Sequence, residues 1–249
     1  PLDSGECASR SGTKLEPAAD VVDGEPRRSE TRGPPQADVA TSTFWEQLRS
    51  KQYVFAVTYF AMLALPCSFT VATIGPQLER ALSSSDDAVV ATRFFSGAFS
   101  FSFLWTPFIG FGSDRLGFRF SFGTISATLL ACLGCLLLMP VAGGAAYPAA
   151  LLYAYGRVGL FATYFGFIAH EFGFEHFGKL VGLGTAIAAS ISLLQYPMLD
   201  ATLQNHGGDF TAANGALAGV VTLSAFLLPG LAGRSTSTSA RQRNSSTET

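Results

Sequence analysis

Two arginines lie where charge is expensive. Arg93 and Arg157 are the only basic residues inside the long apolar runs of this chain. A charge at the middle of a hydrocarbon layer costs roughly 2.5–3.5 kcal/mol on insertion scales, so it normally faces a cavity or a partner. Arg93 falls one turn inside the end of its run, close enough for its stem to carry the guanidinium to water. Arg157 stands about ten residues from either end of its run and has no such exit. It is expected to face a cavity and to hold either the polar edge of a small molecule or a carboxylate from elsewhere. Pairing with carbonyls at a helix break is the alternative. Tyr153, Tyr155 and Tyr164 on the same run, and Gln195 and Tyr196 on the next, are candidate lining groups. A phenol ring can stack on a planar solute and its hydroxyl, like the amide, can hydrogen-bond. Most tyrosines in such helices only pack, and that reading stays open for each.

Other chemistry is disfavoured by spacing. His170, Glu171, Glu175 and His176 spell H-E-x-x-x-E-H, whereas a zinc protease needs H-E-x-x-H to bring both imidazoles to one helical face. A solvated loop explains them. Cys132 and Cys135 form a C-x-x-C, but inside an apolar run, where cysteine behaves as a small hydrophobe. There is no G-x-x-x-x-G-K-[ST] phosphate loop and no G-x-S-x-G nucleophile elbow. No catalytic residue, metal or cofactor is expected. No Asp, Glu or His lies deep in any run, which favours facilitated diffusion over proton coupling. A net charge of −2, with no basic field, argues against nucleic acid as a partner.

The elements that must position these groups are plain. Of 249 residues, 48% are hydrophobic and 14% charged, against roughly 25% charged in soluble domains. Six apolar runs of about 20 residues match the roughly 30 Å of a bilayer core. They cover Tyr53–Thr73, Val89–Phe111, Phe120–Met139, Tyr147–Ala169, Leu180–Leu199 and Ala212–Leu231. Barrel strands are half that length and alternate. The expected fold is therefore all-α and membrane-embedded, with the lipid bilayer as a partner. Composition divides the chain into a segment over 1–50, disordered through about residue 43, a six-helix bundle over 51–233, and a disordered tail over 234–249. With the N-terminal segment in the cytoplasm, Arg49, Lys51, Arg115, Arg119, Lys179, Arg234, Arg241 and Arg243 share that side, and Arg80 stands alone opposite. Both ends are then cytoplasmic. The Gly178/Gly182 and Gly215/Gly219 pairs are expected to let helices approach closely, and Pro66 and Pro107 to bend their spans.

Between the second and third spans runs Gly110-Phe-Gly-Ser-Asp114-Arg115-Leu-Gly117-Phe-Arg119. Its glycines permit a sharp reversal, its carboxylate can face a helix N-terminus, and its arginines hold it at the cytoplasmic side. This stretch resembles the G-x-x-x-D-R-x-G-x-R loop of the major facilitator superfamily. The resemblance implies a gate-locking role for Gly110, Asp114, Arg115, Gly117 and Arg119. The EHFGKLVGL of Glu175–Leu183 and the SLLQYP of Ser192–Pro197 are similar to the fifth helix of the C-terminal half in one branch of that superfamily. That branch holds facilitative large neutral amino acid carriers and equilibrative nucleobase carriers. The Phe44-Trp45-Glu46-Gln47-Leu48 segment fits it more loosely. The family has twelve helices, so the resemblance implies one half of the fold, built from two three-helix repeats of opposed topology. It implies a small-molecule solute held near the midplane, alternating access, and an N-terminal six-helix half as partner. Plasma membrane is the implied location. The competing reading is a non-transporting six-helix membrane protein that pairs with other carriers.

Overall fold

The computed structural model describes residues 43–82, 84–205 and 207–231. Residues 1–42 and 232–249 of the tails read as disordered lie outside them. Among the described residues there are helices and turns and no strand. The helices are α1 (Phe44–Leu48), α2 (Lys51–Ala81), α3 (Ser85–Ser100), α4 (Thr106–Leu116), α5 (Phe118–Leu138), α6 (Ala146–Phe172), α7 (Phe177–Ser192), α8 (Gln195–Asn205) and α9 (Thr211–Ser224). Six stretches are long and apolar enough to cross a membrane: Lys51–Ala81, Ser85–Leu116, Phe118–Leu138, Gly143–Phe172, Phe177–Gln204 and Thr211–Leu228. The expected all-α architecture with six spans is met, and most of the helices overrun the apolar runs that announced them.

Helix α2 is the axis of the bundle. Ser50 caps its start, its Oγ accepting from the Tyr53 amide at 3.2 Å. Of its most apolar window 67% is buried, against 17% for the second span. Its neighbours are α7, α9, α6 and α3, while α5 packs mainly against α6 and α9. Three buried tyrosines tie these helices together through the backbone. Tyr53 donates to the Leu180 carbonyl at 2.8 Å, Tyr59 to that of Phe122 at 2.6 Å, and Tyr153 to that of Cys67 at 2.7 Å. Each hydroxyl thus finds an acceptor without water, which an apolar surrounding demands.

Two spans are interrupted where the chain chemistry requires it. The second passes through a 3-10 segment, Phe101–Trp105, before α4, with Pro107 in the first turn of α4, where no N–H is missed. The fifth breaks at Leu193–Leu194 between α7 and α8. Pro197 has no N–H to offer the Leu193 carbonyl, which instead accepts from Tyr196 at 3.1 Å.

The Gly110–Arg119 motif is not a loop. Gly110 through Leu116 continue α4, and the reversal into α5 is made by Gly117 alone, at φ 84° and ψ 159°. That region is essentially closed to side chains. The Gly117 amide donates to the Ser113 carbonyl at 3.0 Å, and the Ser113 hydroxyl donates to Ser121 across the turn at 2.9 Å. Gly173, at φ 72°, ends α6 in the same way. There the buried side chain of Gln47 reaches back from α1 to the Phe172 carbonyl at 3.5 Å. A helix therefore forms at Phe44–Leu48, inside the segment over 1–50, because a capping box of Thr43 and Glu46 closes its first turn. His170 and Glu171 likewise belong to the last turn of α6 and not to a loop.

The glycine pairs are a second correction. A Cβ at Gly178, Gly182, Gly215 or Gly219 would meet nothing within 4 Å, because all four face away from the bundle. Close approach falls elsewhere. A Cβ at Gly156 would come within 2.7 Å of Leu129, and one at Gly159 within 3.2 Å of Ile125, which seats α5 on α6. One at Gly184 would overlap the Tyr164 hydroxyl. Gly156→Ala and Gly184→Ala are expected to lower stability by about 1–3 kcal/mol through overpacking. Gly178→Ala and Gly215→Ala should stay within about 0.5 kcal/mol of the parent. Thermal unfolding of the four variants in one detergent checks this. Gly117→Ala should also cost about 1–3 kcal/mol, from backbone strain alone.

Candidate functional site

Helices α2, α6 and α7 diverge around a cavity of about 330 Å³. From α2 come Phe60, Ala64 and Ser68, spaced by four so that they share one face. From α6 come Arg157 and Phe161, again one turn apart. Helix α7 supplies Thr185, Ala188, Ala189 and Ser192, at the i, i+3, i+4, i+7 positions of one stripe. The space exists because that stripe is small. Larger side chains would fill it. Gln195, at the start of α8 beyond the break, completes the wall.

Arg157 is the one cation of this wall. Its guanidinium carbon lies 5.7 Å from the Phe99 ring centroid and 5.6 Å from that of Phe161. Its Nη1 donates to the Tyr153 hydroxyl at 3.4 Å, a long bond. Among the described residues no carboxylate lies within ion-pair distance of it. It stands 11 residues into α6 and 15 from the helix end, about 16 Å and 23 Å along the axis. Ring faces offset part of the cost of such a charge, on the order of 0.5–2 kcal/mol each. They leave most of its five N–H donors to the cavity. Gln195 lines the same cavity, its side-chain oxygen buried without a hydrogen-bond partner. One wall thus offers donors at Arg157, with the rings of Phe60 and Phe161 and the side chain of Gln195 beside them.

The four residues singled out as a solute site therefore divide. Arg157 and Gln195, far apart in sequence, meet at one cavity. Tyr153 and Tyr164 do not line it, being 1% and 0% exposed. Tyr153 anchors α6 to the Cys67 carbonyl of α2 and props Arg157 from behind. Tyr164 stacks on Phe60 at 4.2 Å between centroids and 14° between planes, fixing a ring that does line the cavity. Tyr196 points out of the bundle, and Tyr155 packs edge-on to Trp105 at 5.8 Å. Phe99 was not foreseen. Its spacing to Arg157 crosses from α3 to α6, and no sequence pattern carries that.

At the turn of α4 and α5, Gly110 and Asp114 border a separate cavity of about 460 Å³, with Phe118 and His170 across it. The Arg115 guanidinium lies 4.8 Å from the Phe111 ring centroid. Gly117 supplies the reversal, and Arg119 follows in the first turn of α5. The thiols of Cys132 and Cys135 are free, Cys132 donating to the Ala149 carbonyl at 3.4 Å. Among the described residues no cluster of three or more His, Cys, Asp or Glu could hold a metal ion.

Among curated proteins, the chain is similar to the equilibrative nucleobase transporter 1 of Bos taurus, at 28% identity over 198 residues. The match takes in 69% of this chain and 38% of that protein, so the chain spans well under half the length of the relative. That relative is a transporter by name and not an enzyme. No family model matches the chain, and no solved structure does.

Removing the Tyr153 hydroxyl tests the support behind Arg157. Tyr153→Phe is expected to destabilise the protein by about 1–3 kcal/mol, because the buried Cys67 carbonyl loses a donor and the guanidinium its prop. Equilibrium unfolding in detergent, compared with Tyr155→Phe as a near-neutral control, measures the difference.

Proposed function

We propose that this chain is the six-helix half of a facilitative carrier and moves a small organic solute across a membrane by alternating access with a second, N-terminal six-helix half. The solute is a purine nucleobase or a large neutral amino acid. The observation that carries this reading is Arg157, a cation deep in a span, facing a cavity with no carboxylate among the described residues within ion-pair distance. Such a group is retained where a solute or a coupling partner uses it. A planar base offers acceptors to a guanidinium and a face to Phe60 and Phe161. The carboxylate of an amino acid would fit the same guanidinium. The likeness to a nucleobase transporter favours the first.

In this reading residues 1–50 are the connection between halves, 51–233 the transport bundle and 234–249 a tail. Both ends lie in the cytoplasm of a plasma-membrane protein. Gly110, Asp114, Arg115, Gly117 and Arg119 lock the inward gate against the other half. The second span suits contact with its surroundings, lipid or that half, since Phe101, Phe103 and Phe108 are each more than 60% exposed.

Uptake of labelled adenine and labelled leucine by cells expressing the full reading frame that carries this chain tests the proposal. Adenine uptake that follows its gradient is expected, with Arg157→Ala lowering it by about tenfold or more at equal surface expression. Unchanged uptake in that variant removes Arg157 from the site. No uptake of either solute by correctly inserted protein leaves the non-transporting six-helix reading.

A further inference from the structure

The groups that can meet a solute in the Arg157 cavity are of one kind. Arg157 brings N–H donors from α6. Ser68 on α2 and Ser192 on α7 line the same space, and their hydroxyls make no hydrogen bond to a described residue. Neither of those oxygens is closed off, whereas the Gln195 oxygen is. The Thr185 hydroxyl commits its hydrogen to its own helix, 2.9 Å from the carbonyls of Val181 and Gly182. No Asp, Glu or His lines the cavity. Three helices thus turn donors toward one space, and one of the donors is a permanent cation.

Such a set selects for charge. Inside a span the field of Arg157 is poorly screened, and the ring faces of Phe99 and Phe161 offset only part of its cost. A neutral solute leaves that charge uncompensated. An α-amino acid brings an ammonium group of its own, which needs a carboxylate or several acceptors. Among the described residues this cavity supplies no carboxylate. An anion needs only what the cavity holds.

Resting on the transport reading above, we infer that the solute of this cavity binds as an anion, an acidic heterocyclic base that has released a ring N–H proton to water. Its negative charge lies over a ring nitrogen and the adjoining carbonyl oxygen. A guanidinium fork grips an edge of that kind with two parallel bonds. The arginine in turn favours the ionised form of the base. Ser68 and Ser192 donate to the remaining acceptors, and the flat ring lies against Phe60 and Phe161. A carboxylate offers the same two-atom edge without the ring, so the two must be told apart by experiment.

The titratable groups beside Arg157 are Tyr153 of its own helix and Cys67 of α2, while α3 presents Phe99 and the α7 wall has none. Adenine keeps its charge near neutral pH, so its uptake reports any titration of the carrier itself. Uptake of labelled adenine, by cells expressing the full reading frame, is measured against xanthine, a purine that ionises near neutrality, from about pH 6 to about pH 8. The xanthine concentration that halves uptake should fall by about tenfold over that range, while the value for unlabelled adenine stays level. Arg157→Gln, at equal surface expression, should abolish the difference between the two ends of the range. A level xanthine response in the unaltered carrier overturns anion binding and leaves adenine transport standing. A response retained in Arg157→Gln places the ionised base elsewhere and overturns it too. Leucine or benzoate competing as strongly as ionised xanthine overturns the choice of a heterocycle. A correctly inserted carrier that takes up no adenine removes the transport proposal and this one together.

Discussion

The rest of the structure depends on the enclosure of α2. In a medium without water, a helix buried over most of its surface must satisfy the polar groups it meets. Helix α2 does so with tyrosine. The hydroxyls of Tyr53, Tyr59 and Tyr153 each join α2 to a different neighbour by donating to a carbonyl. A carbonyl has a second lone pair, so it can take this bond without surrendering its helical one. Apolar packing alone is non-directional and lets helices slide or rotate. A hydroxyl that must reach one named carbonyl fixes rotation as well as distance. The positions of α5, α6 and α7 around α2 follow from these three bonds and from the glycines that seat the closest contacts.

The cavity beside Arg157 is a consequence of the same arrangement. Tyr153 stands between the axis and the arginine, bonded to both. Tyr164 stands between the axis and the cavity, stacked on Phe60 and pressed against Gly184. Below the small stripe of α7 the two tyrosines make a firm floor. The Arg157 guanidinium lies between two rings, those of Phe99 and Phe161.

Much of the fold was legible because hydrocarbon is a simple solvent. Six apolar runs of bilayer length had one economical solution, and Arg157 and Gln195 stood out because polarity inside such runs is costly. What escaped was anything decided by helix rotation. Gly178 and Gly182 have the spacing of a contact motif yet face outward, while Gly184, two residues on, does the close packing. Spacing names a stripe and cannot say which way it points. The Gly110–Arg119 motif showed that the chain reverses, but the reversal shrinks to Gly117, since α4 keeps its hydrogen bonds as far as it can. Asn214 sits in the run Thr-Ala-Ala-Asn-Gly-Ala, whose Asn-Gly pair reads as a turn signal. Its partner, Gln77, lies 137 residues away, and only the folded bundle joins them.

Two polar features of the bundle, Arg157 and the buried Thr73–Gln77–Asn214 chain, are of opposite kinds, and the difference bears on motion. Arg157 is held by weak contacts, two ring faces and a bond of 3.4 Å, so its head can turn at small cost. The Thr73–Gln77–Asn214 chain has bonds of 2.7, 2.7 and 3.0 Å between buried groups, and none of its members can rotate without stranding the next. Helices α2 and α9 are therefore locked at this end of the bundle. The interruptions, by contrast, fall in the second and fifth spans, at Phe101–Trp105 and Leu193–Leu194. If the bundle bends, it bends there, because a 3-10 segment and a proline-weakened turn have the fewest good hydrogen bonds to lose. Gln195 lies immediately after one of these breaks, so a bend in the fifth span moves this part of the cavity wall while Arg157, on an unbroken α6, stays in place.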